Sequence, residues 1–317
     1  MFERIILSSQ PSPQRRTSSP LPRFLIPAAW ISFVLNVLII ATGGAVRLTG
    51  SGLGCSEWPL CTPDSFVPTE ELGIHGLIEF GNRTISGPLL IAALIVLILS
   101  IKIRNERKDL FVLSIIITAL ILLQAVVGGF VVWEGLKAVL VGFHYTVSLI
   151  IVCIAAAYLV RAYSGPGPYV RDVPKGFAIT SHVMTLFMAI VIVMGVITTG
   201  NGPHSGDENV IRDGFDATLL SHLHAWPGYI TLALLVVLIA WAFQRDLRPL
   251  KWLLTLLIVM VVQILVGVFQ ARSGLPPVAV GVHMVLASLT AATMTVTIMK
   301  LKKPLALDAS AAPAKTL

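Results

Sequence analysis

Charged side chains make up only 12% of this 317-residue sequence, about half the quarter that soluble domains carry. Set beside a 56% hydrophobic content, that scarcity excludes a soluble globular domain. The opening 23 residues are rich in Pro, Ser and Arg and lack an apolar run, which excludes a signal peptide, and no small-residue cleavage signature follows them. Residues 1–23 are expected to form a disordered inner tail. Cysteine is nearly absent, with three in the chain. Cys55 and Cys61 fall in one short stretch, Cys-Ser-Glu-Trp-Pro-Leu-Cys, where an oxidising compartment permits a disulfide. Cys153 stands alone inside an apolar run and is expected to be a packing residue.

What the sequence does contain is eight apolar runs, near 24–47, 77–101, 110–132, 138–160, 177–198, 218–243, 250–270 and 277–299. Each is about 20 residues or more, enough to cross the ~30 Å hydrocarbon core as a helix with its backbone bonds satisfied internally. The net charge of +7 then reads as a topology signal rather than a nucleic-acid footprint. With the amino terminus cytoplasmic, 18 of the 23 basic residues lie on the inner side and five lie outside or within the helices. That bias places both termini in the cytoplasm and the chain in the cell membrane as a multi-pass protein. Ten of the 16 acidic residues, Glu57, Asp64 and Asp207 among them, fall at or near the outer side.

Two stretches are copies in register. Gln124-Ala-Val-Val-Gly128 and Gln263-Ile-Leu-Val-Gly267 each reach a histidine twenty residues after the Gln, His144 in Val-Gly-Phe-His and His283 in Val-Gly-Val-His, at a constant offset of 139. The first span ends in Thr49-Gly-Ser-Gly52 and the fifth in Thr199-Gly-Asn-Gly202. Four spans per copy is an even number, so both halves enter from the same side, related by a pseudo-twofold axis along the membrane normal. The expected fold is an all-α integral membrane protein of eight transmembrane helices in two pseudo-twofold-related four-helix bundles. They cover 24–161 and 177–303, with a cytoplasmic linker at 162–176 and a tail at 304–317. Bundles of this kind hold cofactors between facing helices.

The copies differ at one buried position, where His224 of the second half is matched by Asn82 of the first. Asn82, His144, His224 and His283 all fall roughly 9 to 12 Å below the outer start of their helices. His224 and His283 can therefore face each other as two axial ligands of a heme iron. The plainer reading of any one buried histidine is a hydrogen-bonded core residue, but such groups in hydrocarbon are costly enough to mark function. His222 and His182 read as interfacial. In Ile78-Glu79-Phe80-Gly81-Asn82-Arg83, Glu79 shares a face with Asn82 and is spaced to pair with Arg83. A dipole-favoured Glu satisfied by that Arg is its structural alternative. His75 lies on the same face about 10 Å nearer the surface, a ligand only if the cofactor sat higher or the helix start bent, and otherwise a loop-edge residue.

These residues resemble the heme A synthase family, membrane enzymes that convert heme O to heme A for cytochrome oxidase. The resemblance covers nearly all of the chain after the tail. It rests on Gly50-Ser-Gly-Leu-Gly-Cys55-Ser-Glu-Trp-Pro-Leu-Cys61, on Ile78 to Arg83, and on the helices that hold His144, His224 and His283. It implies two similar four-helix bundles, with a low-spin heme b between His224 and His283 in the second. It implies that the first bundle receives the substrate heme at His144, with Asn82, His75 and Arg83 around it. Glu79 would act in oxidising a porphyrin methyl to a formyl group by successive hydroxylations, with oxygen from water, its carboxylate stabilising developing positive charge. The Cys55 and Cys61 pair would be a redox couple or a loop staple, the short ring stabilising only modestly.

The chain departs from the commoner family pattern at Asn82, where most members carry His before the Arg. An amide is a poor iron ligand, so the substrate heme is expected to be five-coordinate through His144 or ligated by His75. The second outer loop lacks cysteine and offers His204, for loop structure or heme-propionate contact. The implied partners are heme O, the lipid bilayer and an electron acceptor that the residues do not name. A heme O synthase and a second copy of the chain are candidates for contact, and nucleic acid is not among them. The rival readings are a diheme b-type electron-transfer protein and a parallel-repeat transporter. Asn82 and Glu79 weigh against the first, and the clustering of all site positions at one side weighs against the second.

Overall fold

In the computed structural model, which describes residues 20–210 and 216–305, eight long helices carry the chain back and forth. They are α1 (Leu25–Leu48), α2 (Gly73–Ile101), α3 (Lys108–Trp133), α4 (Ala138–Ala162), α5 (Lys175–Gly200), α6 (Ala217–Gln244), α7 (Leu250–Arg272) and α8 (Pro277–Met299). All eight are long and apolar enough to cross a membrane; at about 1.5 Å per residue even the shortest exceeds the ~30 Å core. The remaining regular structure among the described residues is a 3₁₀ turn at Glu70–Leu72 and two short strands, β1 (Tyr169–Arg171) and β2 (Lys302–Pro304). The tails at 1–19 and 306–317, with their basic residues, lie outside the described residues.

Each half closes on itself. Helix α1 packs on α2, α2 on α3, α3 on α4 and α4 on α1, while α5 to α8 repeat the same ring. Between the halves α4 packs on α8, and α1·α8 is matched by α4·α5. That is the pattern a twofold axis through the α4–α8 contact produces, and it is the architecture expected from the repeat. Many of the buried residues of these helices are small: Ala28, Ala29, Ser32 and Gly44 on α1, Ala155 and Ala156 on α4, Ser288, Ala291 and Ala292 on α8. Lipid is as apolar as a leucine side chain, so close backbone approach at small residues, rather than hydrophobic burial, holds membrane helices together. Large apolar residues divide between the interior, as Leu110, Tyr158 and Phe177 do, and the outer surface, where Leu123, Val237 and Ile258 point.

Two sets of hydrogen bonds tie the halves at two depths, and a third fastens the linker to the second half. On the face carrying the Cys55–Cys61 loop, Arg47 at the end of α1 donates to the carbonyls of Thr199 and His204, and Gly52 N donates to Gly206 O at 2.7 Å. Within the helices, Tyr145 Oη donates to Met284 O at 3.1 Å. These two residues directly follow His144 and His283. At the opposite face β1 pairs antiparallel with β2, and Asp172 takes Arg248 at 3.0 Å and also Lys303. Burial pushes the Asp172 carboxyl up, but its bonds to Lys303 and Arg248 outweigh that and hold it below the usual carboxylate range. The linker that joins the halves is thereby clasped to the segment that follows α8 and to Arg248 between α6 and α7.

Candidate functional site

In the second half the duplicated motif shows its purpose. Gln263 and Gly267 lie one turn apart on α7, so they share the face turned to α8. A Cβ on Gly267 would stand 2.9 Å from Cε1 of His283, so glycine is what lets the ring lie against the helix. Gln263 Nε2 is 3.3 Å from His283 Nε2. His224 on α6 is seated the same way on Gly195 of α5, where a Cβ would be 2.8 Å from its Cε1. Its Nδ1 is 2.8 Å from Val191 O. A carbonyl partner fixes the proton on Nδ1 and leaves the Nε2 lone pair free for a metal.

The two rings stand with centroids 6.2 Å apart and planes at 79°. Imidazoles that bind one ion from opposite sides have centroids about 6 Å apart, from metal–nitrogen bonds of about 2 Å plus about 1 Å to each ring centre. No group of three or more His, Cys, Asp or Glu side chains clusters among the described residues. An ion held here would take its other donors from a non-protein ligand, as a heme iron does. His283 Nδ1 and Gln263 Oε1 are buried without a protein partner, as are His144 Nδ1 and Gln124 Oε1 in the first half. Unpaired buried polar atoms of this kind fit a site that receives a group from outside the chain.

The first half repeats the frame with different contents. The His144 ring lies near Gly128, where a Cβ would be 3.5 Å from Cε1. Gln124 Nε2 donates to His144 O and to Ser148 Oγ, both at 2.6 Å, so the repeated Gln holds the helix here and touches the ring in the second half. The Asn82 amide oxygen accepts from Thr42 Oγ of α1 at 2.7 Å. His75 is exposed at the first turn of α2, its Nδ1 2.9 Å from Ser51 Oγ. Helix α2 runs unbroken from Gly73 past Asn82, so its start is not bent.

Glu79 is the only fully buried carboxylate among the described residues, 4% exposed. It makes the ion pair with Arg83 that their spacing suggested, and its Oε2 accepts from Cys55 N at 2.7 Å. Arg83 continues the latch, donating to the carbonyls of Glu57 at 2.8 Å, Leu60 at 2.9 Å and Cys55 at 3.1 Å. Cys55 and Cys61 are joined by a disulfide and are both 0% exposed. Trp58, between them, lies on Gly129, where a Cβ would be 2.7 Å away, and stands edge-on to Trp133 at 5.5 Å. The two consecutive glycines of α3 thus divide the work, Gly128 under His144 and Gly129 under the loop.

Four contributors escaped the sequence reading: Val191, Gly195, Thr42 and Arg47. Arg47 carried a signal, a cation at the end of an apolar run. Val191 acts through its carbonyl, which leaves no trace in residue type. His204 is part of the loop structure, its Nε2 2.9 Å from Leu275 O, while His222 and His182 are exposed.

Fold and site together define an eight-helix membrane protein with two neighbouring buried imidazoles in one half and a single one in the other. The family model for cytochrome oxidase assembly proteins (COX15-CtaA) matches residues 28–203, more than half of the chain, and the chain belongs to this family. It is 32% identical over 175 residues to the heme A synthase of Staphylococcus saprophyticus, a match covering 53% of this chain and 57% of that relative. It is 37% identical over 126 residues to the heme A synthases of Bacillus cereus and Bacillus anthracis, covering 38% of this chain and 40% of each. The matched segments thus span less than two thirds of these relatives' lengths.

Proposed function

We propose that this protein is a heme A synthase, an oxidoreductase that acts on a CH group, converting the methyl of heme O to a formyl group by successive hydroxylations. The observation that carries this reading is the opposed pair His224 and His283 in one half, beside a copy of the same frame that keeps only His144. His224 and His283 would hold a heme b, which when bound supplies reversible one-electron transfer. The Val191 carbonyl orients His224, and Gly195 and Gly267 let both rings lie close against the neighbouring helices. His144 would take the substrate heme, the Gln124 bonds fixing the segment of α4 that carries it.

Glu79, one turn from Asn82, sets a carboxylate at the wall of the substrate site, with Arg83 holding it in one orientation. A fixed charge in a water-poor site favours positive charge that develops as a methyl is oxidised. The same two side chains hold the disulfide loop closed, so loop and carboxylate move as one unit. We place both termini in the cytoplasm and the heme sites toward the outer face, from the basic-residue bias. The test is conversion: expressed in a host that accumulates heme O, the protein should yield heme A in pigment extracts. Protein that carries heme b while the heme O pool stays unconverted would sink the enzyme reading and leave the diheme carrier.

The glycine seats give a graded expectation. Gly195→Ala and Gly267→Ala put a methyl within 2.8 to 2.9 Å of an imidazole carbon, and overpacking of this kind costs about 1–3 kcal/mol. Both should lower the melting temperature and the heme b content of purified protein. Gly128→Ala meets its ring at 3.5 Å, an ordinary contact, and should keep both near wild type.

A further inference from the structure

The first half has an amide where the second has an imidazole, and its surroundings are fitted to the amide. In the register that aligns Thr49 with Thr199, Thr42 of α1 corresponds to the residue after Val191 of α5. Each half therefore braces the side chain of its second helix from the same level of its first. In the second half a carbonyl takes the proton of His224 Nδ1 and aims a lone pair inward. In the first half a hydroxyl takes up the oxygen of Asn82, which leaves the amide NH2 as the free end. That nitrogen makes no hydrogen bond among the described residues, and the side chain is half-buried.

An NH2 group with its oxygen engaged donates hydrogen bonds and does not bind a metal cation. An asparagine also ends about one bond length short of the far nitrogen of a histidine. A heme seated on His144 would therefore keep its opposite face uncoordinated by protein, under a wall that presents hydrogen-bond donors. His75, the other imidazole on that helix, is turned to Ser51 at the exposed first turn.

We propose that the N-terminal site holds its heme through His144 alone, and that Asn82, braced by Thr42, forms the far wall of a small-ligand site. Its ligands are water and other small neutral or singly charged anionic molecules, which receive a hydrogen bond from the amide. This rests on the reading of the first half as the substrate-heme site, and deepens it by naming what meets the heme on its second face.

The test uses full-length purified protein carrying its heme b, titrated with hemin as a stand-in for the substrate. The heme b of the second half, already six-coordinate, serves as the internal control for folding. The second equivalent of hemin should enter as a high-spin ferric species, bind cyanide, and bind one CO per chain after reduction. Asn82→His should turn that heme low-spin and cut CO binding at least about tenfold, as a second imidazole closes the position. Asn82→Ala should retain CO binding but lose about tenfold in ferric cyanide affinity, through loss of a hydrogen bond to a charged ligand. Thr42→Val should shift cyanide affinity in the same direction by less. A low-spin second heme that refuses CO in the wild type overturns the proposal, and recovery of CO binding on His75→Ala would then name His75 as the ligand. Unchanged CO binding in Asn82→His overturns it equally. If no second hemin binds at all, the substrate-site reading falls with it.

Discussion

Replacing His224 or His283 by alanine is expected to abolish the bis-imidazole heme b spectrum of the purified protein while leaving it in the membrane at near-normal amounts. Each ring makes one polar contact with the neighbouring helix, His224 with Val191 O and His283 with Gln263. His224 is seated on Gly195 and His283 on Gly267, so removing either ring leaves space rather than a clash. The packing of the second half rests elsewhere, on a cluster that includes Phe177, Met184, Leu235, Leu253 and Leu256. Loss of heme should exceed the about 10–100-fold that changes to mere outer-shell partners produce at metal sites. Absorption spectra and heme-to-protein ratios check it. His144→Ala provides the contrast, because it should keep the heme b spectrum and lose binding of added hemin. A variant of His224 that kept a full low-spin spectrum would show that the pair does not hold the iron.

The second large effect is expected at Glu79. Glu79→Gln should leave heme b content unchanged and lower heme A formation about 100-fold or more, the scale of removing one preorganised electrostatic group from a reaction site. The substitution is close to isosteric, and a Gln oxygen can still accept from Cys55 N. It removes the charge that faces Arg83, however, leaving a guanidinium whose remaining partners are the loop carbonyls of Cys55, Glu57 and Leu60. If Glu79 served only to anchor the loop, Glu79→Asp and Glu79→Gln would fail alike, each with increased accessibility of the disulfide to a reductant. If the charge acts on the substrate, Glu79→Gln fails with the disulfide still protected. Reduction rates measured beside heme A yield separate the two, and normal yield from Glu79→Gln would remove the role altogether.

Much of the fold was legible because membrane solvent leaves a compositional mark. Eight apolar runs of sufficient length gave eight helices, and the register of Gln124, Gly128 and His144 against Gln263, Gly267 and His283 gave the two rings of four. Helix α2 begins at Gly73, ahead of the apolar run near 77–101. Its first turn, with His75, projects beyond the apolar stretch and is held by the loop rather than by lipid. The pairing of β1 with β2 was invisible, since strands of three residues carry no periodicity. At the site, the histidines and the Glu79–Arg83 pair could be read from spacing. Much of what positions them could not, because Arg47, Arg83 and His224 all reach main-chain carbonyls, which any residue type supplies. The pair Gly128-Gly129 against Gly267-Val268 did carry a message: only the first half needs a second flat surface, for Trp58.

The ties between the halves have a mechanical consequence. Parallel-repeat transporters work by rocking one repeat against the other around a fixed site. Here Arg47 and Gly52 tie the halves at one face and the Tyr145–Met284 bond ties them within the membrane, while at the other face β1, β2 and Asp172 fasten the linker to the second half. A swing of one half against the other would have to break the ties at the loop face and the Tyr145–Met284 bond together. These ties are expected to hold His144 and His283 at a set spacing, so that traffic between them runs through the frame and not by its rocking.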